Sequence, residues 1–261
     1  MAMRATKPER DAADGRASML NPRVGLCGFT MAMGTYAQHF PVVEIQHTFY
    51  EPPKDALLLK WRRLMACPVE FTMKVWQVVT HQRTSPTYRR VRGAVPEGSI
   101  GFFADSDAVR QCWERSLECA AVLGATALLF QTPASFGPMP DNVDRLRGFF
   151  ERVARPSADC SGSRADPAWV KAKELALSLF RDLGLVHVVD PFVTPPASDQ
   201  PVYWRLHRID GARYSYTDAD LTQIVTLLRQ QQSTEQAYVL FNNLPRVGDA
   251  SRFTTMLQQG Q

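Results

Sequence analysis

Phe71-Thr72-Met73-Lys74-Val75-Trp76 is the stretch on which the fold turns. In an extended chain successive side chains point to opposite faces, so Phe71, Met73 and Val75 share one face while Thr72, Lys74 and Trp76 share the other. An apolar face opposed by one that carries a lysine suits a strand with helices on one side and a polar interior on the other. Val202, Trp204 and Leu206 oppose Tyr203, Arg205 and His207 in the same way. Outward from these two, short apolar runs recur at 24–27, 42–46, 127–131, 185–190 and 237–242, making seven candidate strands. Longer stretches of helical period lie between them, the pattern of repeated βα units on a parallel sheet.

Helix ends support this reading. Asp166 before Pro167 predicts an N-cap and first-turn proline for a helix through Ala176 and Phe180, stopped by Gly184 in a left-handed cap. Asp141 opens a segment with Val143, Leu146, Phe150 and Val153 on one face, and Thr217 with Asp220 forms a variant capping box before Leu221, Ile224 and Leu228. A further helix from Asp105 to Leu123 carries Val109, Trp113 and Leu117 at helical spacing. The chain has 261 residues, and α/β barrels use about 250. The expected fold is therefore α/β, an eight-stranded TIM-type barrel over residues 22–261, preceded by a flexible leader at 1–21. The fifth strand is the weak member. Between Val153 and Asp166 the chain reads Ala-Arg-Pro-Ser-Ala-Asp-Cys-Ser-Gly-Ser-Arg-Ala, without a β-branched or aromatic residue, which predicts a loop and a degenerate or missing strand.

With 45% hydrophobic and 21% charged residues the chain can bury a large core, which excludes the disordered and collagen-like classes. The leader holds Arg4, Lys7, Glu9, Arg10, Asp11, Asp14 and Arg16 and no apolar run, unlike a secretory signal. No later segment approaches the roughly 18 apolar residues of a membrane span. Cys27, Cys67, Cys112, Cys119 and Cys160 are odd in number and form no C-x-x-C pair, so no disulfide framework is expected, and the expected location is a reducing cytoplasm. A balance of 30 basic against 26 acidic residues is too even to announce nucleic-acid binding by itself.

In a parallel barrel the inward residues nearest the C-terminal strand ends line the mouth where barrel enzymes place their sites. Alternation puts Glu44, Gln46, Lys74, Gln131, Arg205, His207 and Asn242 there. Buried cations must be paired or await a ligand, and the positive excess points to a small anion, a phosphate or carboxylate. Arg205 would supply a two-pronged fork and Lys74 a point charge, with Glu44 or His207 as general acid or base. A Schiff base on Lys74 is a variant of this chemistry. The competing reading makes Glu44, Lys74 and Arg205 a structural ion-pair layer. His187, between valines, is expected to be a satisfied core histidine, and Asp190 a site residue or a turn cap. No Gly-rich fingerprint or P-loop is present, so no cofactor is expected. One clear acid in the inward set also argues against a metal, His47, His81 and Asp190 being the residues left to supply one. The loop at 77–98 sets His81, Arg83, Tyr88, Arg89, Arg90 and Arg92 against Glu97. It is read as a basic lid over an anionic substrate, a contact for a nucleic-acid backbone between Arg83 and Arg92, or a solvated loop.

Val24-Gly25-Leu26-Cys27-Gly28-Phe29, Val43-Glu44-Ile45-Gln46 with Thr48-Phe49-Tyr50, Phe71-Thr72-Met73-Lys74 with Thr80-His81, Phe130-Gln131-Thr132-Pro133 with Ser135-Phe136, Arg205-Leu206-His207 and Phe241-Asn242-Asn243 follow one another along the chain. In number and order these motifs resemble the domain of unknown function 72 family, also called YecE-like, over Val24 to Leu257. The resemblance implies a TIM-type barrel and no assigned reaction. It also implies a fifth strand with a neighbouring glutamate and arginine, of which only a following tryptophan, Trp169, can be placed here. Tyr50 and His81, inside these motifs, join Gln46, Gln131, Arg205 and Asn242 as candidate substrate-binding residues, beside Glu44, Lys74 and His207 as candidate catalytic ones. Three functions follow: an enzyme acting on a small anionic substrate, a nucleic-acid binding or processing protein, or a catalytically inactive ligand-binding barrel.

Overall fold

A computed structural model describes residues 21–65, 69–155, 159–161, 167–196, 201–207, 211–231 and 237–259. The leader at 1–20, Cys67 and the expected cap Asp166 lie outside the described residues. Strands β1 (Arg23–Cys27), β2 (Val42–Ile45), β3 (Glu70–Lys74), β4 (Ala125–Leu129), β5 (Asp159–Ser161), β6 (Tyr203–Leu206) and β7 (Tyr238–Phe241) form one sheet in the order β5-β4-β3-β2-β1-β7-β6. Every pairing is parallel. The helices are α1 (Met33–His39), α2 (His47–Tyr50), α3 (Asp55–Leu64), α4 (Asp107–Leu123), α5 (Pro140–Arg152), α6 (Pro167–Lys171), α7 (Lys173–Asp182), α8 (Asp218–Arg229) and α9 (Arg246–Gln259). None is long and apolar enough to cross a membrane.

The sheet curls hard. β3 and β6 stand four places apart in it, a distance of ~19 Å in a flat sheet at ~4.8 Å per strand. Yet the hydroxyls of Thr72 on β3 and Tyr203 on β6 are 2.9 Å apart. The expected closed eight-stranded barrel is nevertheless corrected to an open half-barrel. The segment at 185–190 meets β6 only through an isolated bridge between Val189 and Trp204, and no ladder joins it to β5 among the described residues. The cause lies in β5, three residues long and paired on one side, to β4. Its existence in turn corrects the expectation of a loop: Asp159, Cys160 and Ser161 pair with Ala127, Leu128 and Leu129, so tertiary pairing overrides a poor local propensity.

Alternation sorts the core into two layers. Leu26, Val43, Phe71, Met73, Trp204 and Phe241 face the helices in the larger cluster, while Cys27, Val42, Leu129, Val188, Tyr203 and Leu240 line the concave side. Trp76 departs from its expected inward place: it lies beyond the end of β3, packs with the helix-side cluster and donates to the Tyr50 carbonyl at 3.2 Å. At the N-terminal end of the strands, Glu70 pairs with Arg23 at 3.0 Å and accepts from Tyr238 and Thr126, closing that end with a polar plug.

The helix ends follow local chemistry. Ser106, one residue after Asp105, caps α4 by accepting from the Val109 amide at 3.2 Å, and Gly124 ends it at φ +65°. Thr217 and Asp220 form the capping box of α8. The single helix expected from Pro167 is two, α6 and α7, divided where Ala172 leaves helical geometry, and Gly184 takes the left-handed cap at φ +59°.

Candidate functional site

Glu44 projects from β2 into the concave side with no exposed surface. Arg205 Nη2 lies 3.0 Å from its Oε1, Tyr203 Oη donates to Oε2 at 2.9 Å, and the Gln46 amide donates to Oε1. Burial pulls the Glu44 carboxyl upward, but Arg205, Lys74 and the two hydrogen bonds outweigh it and hold the acid below the usual carboxylate range. Burial works against Arg205 too, and the Glu44 charge more than offsets it, so its guanidinium is held above its usual range. Among the described residues Arg205 Nε has no partner in hydrogen-bond geometry. The neighbouring Cys27 thiol is pushed up to about 12, by burial first and by Glu44 second, and is inert at neutral pH.

Lys74, at the C-terminal end of β3, is 7% exposed and donates to Gln131 Oε1 at 2.7 Å, with its ammonium 5.1 Å from the centre of the Phe49 ring. The His81 ring meets the same phenylalanine edge-on at 5.1 Å. A tight turn holds His81 there, its amide donating to the Gln77 carbonyl at 2.7 Å and its Nδ1 lying 2.8 Å from Thr80 Oγ1. Burial, and after it the Lys74 charge, lowers His81 to about 4, so it is neutral at pH 7. A second turn clamps the first. Gly101, Phe102 and Phe103 all have positive φ, and the amides of Gly101 and Phe103 donate to the carbonyls of Val78 and Val79. For the two phenylalanines that conformation is strained, which the contacts of the clamp offset.

The basic loop is tied to this framework. Tyr88 Oη donates to the His81 carbonyl at 2.8 Å, Arg90 donates to Tyr50 Oη at 2.7 Å and stacks over its ring, and Glu51 accepts from the amides of Arg92 and Gly93. Tyr50 therefore sits under the loop rather than in the Glu44 network. Arg89, Arg90 and Arg92 remain exposed.

His207 and Asn242 form a pair at the ends of β6 and β7. His207 Nδ1 is 3.3 Å from the Asn242 backbone carbonyl, which can only accept, so Nδ1 is the donor of that contact. Asp190 fixes the approach, accepting from the amides of His207 at 2.7 Å and Phe192 at 3.1 Å, and so acts as a turn cap. The structure thus joins Glu44, Gln46 and Arg205 directly, sets Lys74 on Gln131, and brings both Lys74 and His81 against Phe49. Sequence reasoning missed the Tyr203 hydroxyl, which bridges Glu44 and Thr72. Alternation placed Tyr203 and Thr72 inside, but the link between them depends on the curl. Among the described residues no group of three or more His, Cys, Asp or Glu is placed to hold a metal ion.

Known proteins set this arrangement in context. The chain is similar to a DUF72 family protein of Enterococcus faecalis V583, with a TM-score of 0.69 and 18% identity over 92% of this chain and 94% of that one. A DUF72 family protein of Thermotoga maritima MSB8 gives a TM-score of 0.65 and 20% identity over 90% and 98%. A D-psicose 3-epimerase solved in the presence of D-fructose shares the fold at a TM-score of 0.57 and 11% identity, over 91% and 98%. No curated protein matches. The family profile described as "Protein of unknown function DUF72" matches residues 30–261, nearly the whole of the half-barrel and its mouth, and the chain belongs to that family.

Proposed function

We propose that the C-terminal mouth of the half-barrel binds a small anionic metabolite, a phosphate or carboxylate, and acts on it as an enzyme. The observation that carries this reading is the convergence of two buried cations, Lys74 and Arg205, on one concave surface that also presents the amides of Gln46 and Gln131. In that setting Lys74 and Gln131 hold the anion, and electrostatic attraction is strengthened by the low dielectric around them. Glu44, fully buried and held ionised, fits a fixed counter-charge that orients Arg205 better than it fits an acid that must gain and lose a proton. His207, its ring oriented by the Nδ1 contact with the Asn242 carbonyl, is then the residue for proton transfer. Neutral His81 and Gln46 offer hydrogen bonds to uncharged parts of the substrate.

The test is a thermal-shift screen against sugar phosphates, small carboxylates, nucleotides and short oligonucleotides. A ligand that binds the native state alone raises the melting temperature by mass action. Small anions should stabilise the wild type and lose that effect in Lys74→Met, while His207→Gln should bind them and turn nothing over. Stabilisation by oligonucleotides alone, steeply weakened by salt, would replace this reading with nucleic-acid binding through the exposed arginines of the loop. Binding of anions without conversion of any of them would leave a ligand-binding protein.

A further inference from the structure

The loop at 77–98 follows the C-terminal end of β3 and so stands beside the mouth. It exposes Arg83, Arg89, Arg90 and Arg92 within a short length of chain. Elsewhere on the surface arginines find carboxylates: Arg110, Arg115, Arg147 and Arg252 each have one, at 2.9, 2.8, 3.0 and 3.1 Å. Among the described residues none of the loop arginines makes an ion pair. Glu51, which reaches this loop, is taken up by the backbone amides of Arg92 and Gly93 at 3.3 and 3.2 Å. Like charges gathered in one loop repel, and an anion among them relieves the repulsion.

The loop is tied down. A 3₁₀ turn at Pro86–Arg90 is capped by Ser85, whose hydroxyl oxygen accepts from the Thr87 amide at 3.4 Å, and Tyr88 anchors the turn to the His81 carbonyl at 2.8 Å. Arg90 is fixed further, its Nη1 donating to Tyr50 Oη at 2.7 Å and its guanidinium carbon lying 5.2 Å from the centre of that ring. That contact uses Nη1, so the fork made by Nε and Nη2 is left to receive an oxyanion. Ring contacts then lead inward. The Tyr50 ring meets the Phe49 ring at 5.1 Å, and the Lys74 ammonium lies 5.1 Å from the centre of Phe49. Laid end to end, these contacts limit the distance from the Arg90 guanidinium to the Lys74 ammonium to about 15 Å, in a medium where salt screens exposed charges over about 8 Å. Only a ligand that touches both cations couples them strongly.

We infer that the ligand of the mouth carries a second anionic group, which Arg90 holds at the rim while Lys74 and Gln131 hold the first within. The substrate class is then a small molecule with an anionic group at either end, a sugar bisphosphate or an α,ω-dicarboxylate, rather than a simple phosphate or carboxylate. This inference rests on the anion-binding reading of the mouth. The two ends are held differently. Lys74, 7% exposed, acts where the dielectric is low, whereas Arg90 is exposed, binds more weakly and, with Arg83, Arg89 and Arg92, draws the ligand in from solution.

The experiment is calorimetric titration of the full chain with matched pairs that differ by one anionic group: glucose 6-phosphate with glucose 1,6-bisphosphate, and octanoate with suberate. In the pair that binds, the second group should raise the affinity about tenfold, the worth of one charge-assisted hydrogen bond. Arg90→Gln should remove that gain and leave the affinity of the monoanion unchanged, which also shows that the variant keeps its fold. Arg90→Lys, which keeps the charge and loses the fork, should restore part of the gain. Lys74→Met should weaken both members of the pair. Monoanions that bind through Lys74 with no gain from a second group, or a gain that survives Arg90→Gln, would overturn the inference and leave the reading of the mouth standing. If neither pair binds, or binding is indifferent to Lys74→Met, the reading of the mouth falls and this inference falls with it.

Discussion

Glu44→Gln keeps the shape of the buried acid and removes its charge, leaving the Arg205 guanidinium, 6% exposed, without a counter-ion. Breaking a buried pair from one side costs about 3–5 kcal/mol, and urea denaturation at pH 7 should show a loss of that size. Arg147→Ala, which removes a half-exposed pair with Asp182, should cost about 0–1 kcal/mol. The sign of the pH dependence follows from the direction of the shift. The folded acid titrates below its ordinary value of 4.5, so its stabilisation is full above that pH and is lost as pH falls through the lower folded value. The gap between wild type and Glu44→Gln should therefore narrow below pH 4.5. His81 and His187 act in a higher window. Each is lowered from 6.5 to about 4, so the unfolded chain takes up protons first as pH drops, and stability present above 6.5 declines between there and about 4. The melting temperature should fall between pH 7.5 and 5, and less steeply in His81→Gln; a flat profile would mean that neither ring is buried as described. Most of the mouth was legible at this scale, because alternation alone sends Glu44, Lys74 and Arg205 to one face. The sequence left open whether Arg205 pairs with Glu44 or awaits a ligand, and the 3.0 Å contact that pairs them depends on how sharply the sheet curls.

Elements divide by how local their signals are. The capping box of α8 is written in Thr217 and Asp220, and Thr217→Ala should cost about 1 kcal/mol. The end of α4 is written in Gly124, whose added Cβ would meet only the Arg62 guanidinium, 3.6 Å away at its nearest atom. Gly124→Ala should cost about 1–2 kcal/mol, the penalty of left-handed backbone. Gly101 differs, because its added Cβ would lie 2.3 Å from the His81 carbonyl carbon and 2.4 Å from the Gln82 nitrogen. Gly101→Ala combines the left-handed penalty with overpacking, about 2–5 kcal/mol in all, and displaces the turn that holds His81. Chemical denaturation should rank the three substitutions, and of them Gly101→Ala alone should weaken the thermal response to anions. Signals of this kind were absent where structure is set from a distance. Asp159-Cys160-Ser161 has no strand character of its own and becomes β5 by lying against β4. Phe102 and Phe103 are neither glycine nor asparagine, and their positive φ values arise from the packing of one loop on another.

At the scale of the whole molecule, an open sheet must keep its curl without the strand pairings that close a barrel. Side chains spanning the concave side do this: Thr72 to Tyr203, Tyr203 to Glu44 and Glu44 to Arg205 tie β3 and β2 to β6, and Tyr238 to Glu70 ties β7 to β3 nearer the N-terminal end. β1 and β7 are paired on both sides, whereas β5 has a ladder on one side and the segment at 185–190 has a single bridge. Backbone opening should follow that gradient, since regions with few paired neighbours unfold locally at lower free energy. In native-state hydrogen exchange, amides of Leu26 and Val239 should open only with the whole protein, and that of Val189 earlier. Tyr203→Phe tests whether the spanning side chains hold the curl. It removes the hydroxyl shared by Glu44 and Thr72, leaves the aromatic packing in place, and should cost about 1–3 kcal/mol through the buried partners left unmatched. If the bridge holds the edge down, exchange at β6 should accelerate more than exchange at β1. If β6 and β1 lose protection equally, the hydroxyl contributes to stability without shaping the sheet, and the curl must reside in strand twist and in the helices packed behind it.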